Sequence, residues 1–264
     1  MSRLSHTFAC RSLTLAGTLD TAKGSSGLLI ASGGNEIRSG AFGGQAALAA
    51  QIAAAGFPVF RFDRRGIGDS EGENRSFRSS TRDIAAALDA FKAMAPQVSR
   101  VVALGNCDAA SALMLASGAG CDALVLSNPW TFEQDAQGNI IDATTPPPAA
   151  LRARYRDKLS NPKEIMRLLG GGVDLGKLVR GVMAAMRPPP PPSSLAQEMA
   201  AGLSGFTGEV RILLATADRT AQVFEAGWDK GDSRVRRCEG ASHAYVEPAH
   251  RAWLEEQLLE ILRA

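Results

Sequence analysis

The chain has 264 residues, 45% of them hydrophobic, and a formal net charge of +2. That length suits one sheet covered by helices on both faces, and so small a charge gives no support to nucleic-acid binding, which wants a marked basic surplus. No run approaches the ~18 uninterrupted apolar residues of a membrane span, and residues 1–12 lack the apolar stretch of a secretory signal, so no stable membrane insertion is expected.

Four cysteines, Cys10, Cys107, Cys121 and Cys238, show neither metal-ligand spacing nor a disulfide pattern. They read as free thiols of a reducing cytoplasm, and all but Cys107 read as structural. No metal and no organic cofactor is implied.

In chain order, Phe8 to Leu19 suggests a starting hairpin. Gly27 to Ala31 is an apolar strand that ends in Ser32-Gly33-Gly34-Asn35, a loop whose glycines allow close backbone approach to a substrate. A helix is predicted over about Phe42 to Ala55, then a strand over Phe57 to Phe62. A loop follows, Asp63-Arg64-Arg65-Gly66-Ile67-Gly68-Asp69-Ser70-Glu71-Gly72, in which Asp63 and Arg65 are expected to form a bracing charge-assisted bond. Ile84, Leu88 and Phe91 fall at helical spacing within Ser80 to Met94 and should face a core.

The next strand, from Val101, ends in Gly105-Asn106-Cys107-Asp108-Ala109 and runs straight into a small-residue helix. This is the shape of a nucleophile elbow, a strained strand-to-helix turn that lifts one side chain above a sheet. Serine is usual at its tip; here the tip is Cys107. A buried thiol in an ordinary turn is the competing reading. After a strand over Ala123 to Leu126 comes Asn128-Pro129-Trp130, where Trp130 either walls a pocket or packs a lid onto the core.

Val210 to Ala215 is another buried strand, leading to Asp218, and Ser233 to Cys238 a further one, leading to His243. The order nucleophile, acid, histidine, each past a strand end, is that of the α/β-hydrolase triad. His243 would take the thiol proton and later protonate a leaving group. Asp218 would hold its tautomer, or else be a plain strand-end cap. His6 lies near the terminus, and His250 falls in an expected last helix. The oxyanion donors would be the N–H of Asp108, which follows the nucleophile, and that of Gly34, with Asn35 as the near alternative.

Between Trp130 and Glu209 the alternation breaks for roughly 80 residues, far beyond the usual 2–6 of a βα loop. Helix candidates at 149–159, 162–169 and 175–186 precede the run Pro188 to Pro192, which should be extended and stiff. The segment reads as a lid, and a basic one: Arg152, Arg154, Arg156, Lys158, Lys163, Arg167, Lys177, Arg180 and Arg187 outnumber Asp157, Glu164 and Asp174. A solvated helix face explains this, as does an anionic or carrier-bound acyl substrate. Met166, Met183, Met186 and Met199 either line an adaptable pocket or pack the lid.

These motifs resemble α/β-hydrolases of the serine-aminopeptidase and monoacylglycerol-lipase-like branch. The more specific resemblance is to the type 1 hydrolases associated with the exosortase A system, through Gly33-Gly34, Arg61 to Gly72, the Cys107-Asp108 elbow and Asn128-Pro129-Trp130. Arg64 stands where that family commonly has Tyr, and Asn35 where it tends to have Pro. The resemblance implies an α/β fold with a mostly parallel eight-stranded sheet, helices on both faces, and a helical lid after strand 6. Residues 1–129 and 206–264 would form the core, and 130–205 the lid with its Pro-rich linker. It also implies a hydrolase linked to bacterial exopolysaccharide loci. An acyltransferase on a glycan or carrier, a lactonase like dienelactone hydrolase, and a catalytically silent scaffold remain alternatives.

Overall fold

A computed structural model describes residues 2–132 and 193–264. The expected lid helices, the proline run, the basic cluster and three of its four methionines lie outside the described residues. Eight strands form one sheet: β1 (Arg3–Cys10), β2 (Leu13–Asp20), β3 (Ser26–Ala31), β4 (Val59–Phe62), β5 (Arg100–Asn106), β6 (Ala123–Ser127), β7 (Glu209–Ala215) and β8 (Val235–Cys238). Their order is β1-β2-β4-β3-β5-β6-β7-β8. β2 runs antiparallel to both β1 and β4, and every other pairing is parallel.

The central strands read as continuous apolar runs because both of their faces are covered. In β5, Val101 and Ala103 enter one core while Val102 and Leu104 enter the other; Leu124 and Leu126 of β6 divide in the same way from Ala123 and Val125. The first core packs under α2 (Thr81–Met94), α3 (Asp108–Leu115), α4 (Ser194–Ser204) and α5 (Arg219–Gly227). The second packs under α1 (Gly44–Ala54) and α6 (Pro248–Arg263). Ile84, Leu88 and Phe91 face the first core as their spacing predicted, and the Phe91 ring stacks on Phe60 at 5.8 Å.

Two boundaries differ from expectation. The first helix starts at Gly44 rather than Phe42: Phe42 has φ 52° and is 99% exposed, and Gly43 caps the helix in the left-handed region. β8 starts at Val235 because Asp232 accepts from the Arg234 N–H and guanidinium and folds 232–234 into a turn. Helix α4, inside the span expected to be lid, packs on α3. Its Met199 is fully buried in the first core, and a Cβ on Gly202 would lie 2.2 Å from the Met114 carbonyl oxygen, which sets how closely the two helices cross.

The expected Asp63–Arg65 bond does not form. Asp63 is fully buried and accepts from the backbone and guanidinium of Arg38, while Arg65 pairs with Asp83 on α2. The reason is direction: the Asp63 carboxylate turns toward the loop after β3, and Arg65 turns toward α2. The network continues from Arg61, which donates to the Arg38 carbonyl and to Asp20. It ties the loops after β3 and β4 together below the site.

Candidate active site

Cys107 sits between β5 and α3 with φ 60° and ψ −126°, a conformation uncommon for a residue with a side chain. Such strain persists only where the surroundings over-determine it. They do so here. The Cys107 N–H donates to the Ser127 carbonyl at 3.0 Å, and the Cys107 carbonyl accepts from Ala110 and Trp130. Gly105 is required because a Cβ there would lie 2.7 Å from the backbone of Ala109 and Ala110. The other three cysteines are buried. Burial pushes the Cys121 thiol up to about 12; for Cys10, burial and the neighbouring Asp83 act in the same direction.

His243 lies in the loop after β8. Its Nδ1 is 2.9 Å from Asp218 Oδ2, and the Cys107 thiol stands near enough to the ring to act on its charge. Asp218 is the N-cap of α5 as well, accepting from the Ala221 N–H at 3.1 Å, so capping and pairing share one carboxylate. The Asp218 carboxylate, joined by the Cys107 thiol, outweighs burial and raises the imidazole from 6.5 to about 10. His6 lies on the edge strand β1, and His250 pairs with Glu247 on α6.

The expected oxyanion donors lie in the loop after β3 and at the start of α3. Asp108 is the first residue of α3, where backbone N–H groups have no partner within the helix. Gly33 packs so tightly that a Cβ there would lie 2.4 Å from the Asn106 carbonyl oxygen and 3.2 Å from the Cys107 Cβ. The Gly34 N–H is already engaged: it donates to Asp108 Oδ1 at 2.7 Å. Arg64, 5% exposed, donates to the Gly34 carbonyl at 2.6 Å and pairs with the same Asp108 carboxylate at 3.3 Å. Of the two loop amides considered, that of Asn35 is the one with no acceptor among the described residues.

Trp130 donates its backbone N–H to Ser111 Oγ at 2.8 Å, and its ring packs against Phe132 at 4.7 Å and against the first core. Its indole N–H is buried without a partner among the described residues. Beside His243 lies a cavity of about 70 Å³, lined by Leu48, Leu104, Ser127, Tyr245 and Leu254 among others.

Residues 28–256 match the family described as "Alpha/beta hydrolase family". The chain belongs to that family. Known structures share the fold of this alpha/beta hydrolase at low identity. The ferulic-acid complex of Est1E from Butyrivibrio proteoclasticus is 16% identical over 98% of this chain and 100% of that one, with a TM-score of 0.62. The alpha/beta hydrolase GrgF from Penicillium sp. sh18 is 16% identical over 100% and 98%, with a TM-score of 0.64. The esterase Pf2001 from Pyrococcus furiosus is 13% identical over 99% and 90%, with a TM-score of 0.63. A search of curated proteins found no match. Among the described residues, no helix of this alpha/beta hydrolase is long and apolar enough to cross a membrane, and no cluster of His, Cys, Asp or Glu is arranged to hold a metal.

Two features of the site went unread in the sequence. The Asp108–Arg64–Gly34 contact joins the start of α3 to the loops after β3 and β4, and its sequence trace is the Arg noted at position 64. The side-chain bonds of Asn128, described below, left no trace beyond the Asn-Pro-Trp motif.

Proposed function

We propose that this chain hydrolyses an ester, thioester or lactone of a small-molecule or carrier-bound acyl group through Cys107, with His243 as proton carrier and Asp218 as its orienting carboxylate. The observation that carries the reading is the 2.9 Å pair of His243 and Asp218 beside a Cys107 held in a strained elbow. His243 takes the proton from the Cys107 thiol, and the resulting thiolate attacks the acyl carbon as a C–S bond forms. The N–H groups of Asp108 and Asn35 receive the developing oxyanion. His243 then protonates the leaving alcohol or thiol as its bond to the acyl carbon breaks. In the second half, His243 takes a proton from water, the resulting hydroxide attacks the thioester, and the C–S bond breaks to return the thiolate and release the acid.

The sequence motifs support placing the protein among exosortase-associated type 1 hydrolases, and cysteines without a disulfide pattern support the cytoplasm. The basic residues at 152–187 support an anionic substrate. Turnover of a panel of short and medium acyl thioesters and aryl esters tests the reading. Activity that Cys107→Ala abolishes and His243→Ala strongly reduces supports it; equal activity in wild type and Cys107→Ala overturns it.

A further inference from the structure

We propose that Asn128 is a positioning residue that ties the three triad-bearing segments together and fixes where His243 stands. This rests on the triad reading above. The segments that carry Cys107, Asp218 and His243 extend beyond the ends of β5, β7 and β8, where the ladder no longer holds them. Asn128, fully buried just past the end of β6, reaches all three. Its Nδ2 donates to the His243 carbonyl at 3.2 Å and to Asn106 Oδ1, next to the nucleophile, at 3.1 Å. Its Oδ1 accepts from the Ala215 N–H at 2.8 Å, three residues before Asp218. Asn106 Nδ2 adds a weaker contact to the same His243 carbonyl at 3.5 Å.

The donors and acceptors require asparagine. Two oxygens face Nδ2 and one N–H faces Oδ1, so only an amide satisfies the set. An Asp at 128 would aim a carboxylate oxygen at two other oxygens; a Leu would leave the Ala215 N–H and the His243 carbonyl unpaired in a buried place. The backbone narrows the choice further. Asn128 has φ 45°, a left-handed conformation that asparagine tolerates better than most residues. The Asn128 N–H donates to the Leu213 carbonyl at 2.8 Å, and the neighbouring Ser127 hydroxyl is 3.2 Å from the Tyr245 hydroxyl, two residues past His243. The His243 loop is thereby held from both of its sides by the end of β6.

The experiment compares wild type, Asn128→Asp and Asn128→Gly, the last of which accepts the positive φ without strain and removes only the side chain. The readouts are kcat and KM with a short acyl ester, and the pH titration of the His243 ring protons by NMR, assigned with His243→Ala. The groups facing that ring are Asp218 and Cys107. A misplaced proton carrier predicts kcat lower by roughly 10–100-fold with KM little changed. It also predicts a His243 titration moved from about 10 toward 6.5 in both variants. An unchanged titration together with unchanged kcat overturns the proposal, and so does an unchanged titration with any loss that tracks thermal stability alone. The titration needs no turnover, so a wild type that titrates high but turns over nothing counts against the triad reading and not against the role of Asn128. If neither Asn128 variant folds, Asn106→Ala removes the half-buried second contact; the same titration shift, smaller in size, supports the proposal, and no shift overturns it.

Discussion

The Asp108 carboxylate accepts the Gly34 N–H at 2.7 Å while Arg64 bridges it to the Gly34 carbonyl, so Gly34 is gripped through both of its backbone polar groups. Families with this elbow need a loop close to the nucleophile, and here a charged pair supplies the grip. Asp108→Ala should release the loop and leave Arg64 without its partner in a mostly buried place. The expected result is a kcat lower by roughly tenfold or more, with about 1–3 kcal/mol of stability lost. Asp108→Asn keeps an acceptor for Gly34 and should fall between Asp108→Ala and wild type. Steady-state kinetics and urea unfolding of both variants check this.

The pH dependence follows from His243. Its folded value is raised to about 10 from 6.5, so the imidazolium is retained through neutral pH and lost as pH rises through about 10. With an alkyl ester, whose leaving group needs a proton, kcat/KM should hold a plateau and then fall on that alkaline limb. Asp218→Asn should bring the limb down toward 6.5. The same sign governs stability: what the imidazolium contributes is full below about 6.5 and vanishes above about 10, so a melting temperature referenced to His243→Ala should converge on it at high pH.

Gly33→Ala tests the close approach of the loop to the elbow. The added Cβ would meet the Asn106 carbonyl oxygen at 2.4 Å and Asp108 Oδ1 at 3.3 Å, and backbone must move to admit it. Overpacking of this kind costs roughly 1–3 kcal/mol. Because the strain falls beside Cys107, alkylation of that thiol by iodoacetamide should slow as well; an unchanged rate at unchanged stability would count against the close packing.

Asp63→Ala should be more damaging to the fold. It removes a fully buried carboxylate from the Arg38 guanidinium and from the Asp69 N–H at 3.1 Å. Breaking a buried pair by deleting one partner costs about 3–5 kcal/mol, and the midpoint of urea unfolding should drop accordingly.

Much of this was legible in the sequence because it is local. Apolar runs such as Val101–Leu104, closed by Gly105, declare strands buried on both faces. Gly105 before Cys107 and Ala109 after it declare the tight turn by their size. Cys107, Asp218 and His243 stand out because each follows the end of a strand. What was missed depends on side-chain direction across loops far apart in the chain. Asp63 and Arg65 share a loop yet turn away from each other toward Arg38 and Asp83. Asp108 reads as a helix-start residue, and nothing local reveals that its carboxylate holds Gly34. Asn128 looks like turn chemistry, whereas its amide serves partners at positions 106, 215 and 243.

The most direct test of the thiol mechanism is intact mass after brief mixing with short acyl thioesters, comparing wild type with Cys107→Ala and His243→Ala. The expected result is an acyl adduct that forms on Cys107 and turns over in wild type, is absent in Cys107→Ala and is strongly reduced in His243→Ala. No adduct with any acyl donor, together with a Cys107 that alkylates no faster than an ordinary thiol, would contradict it.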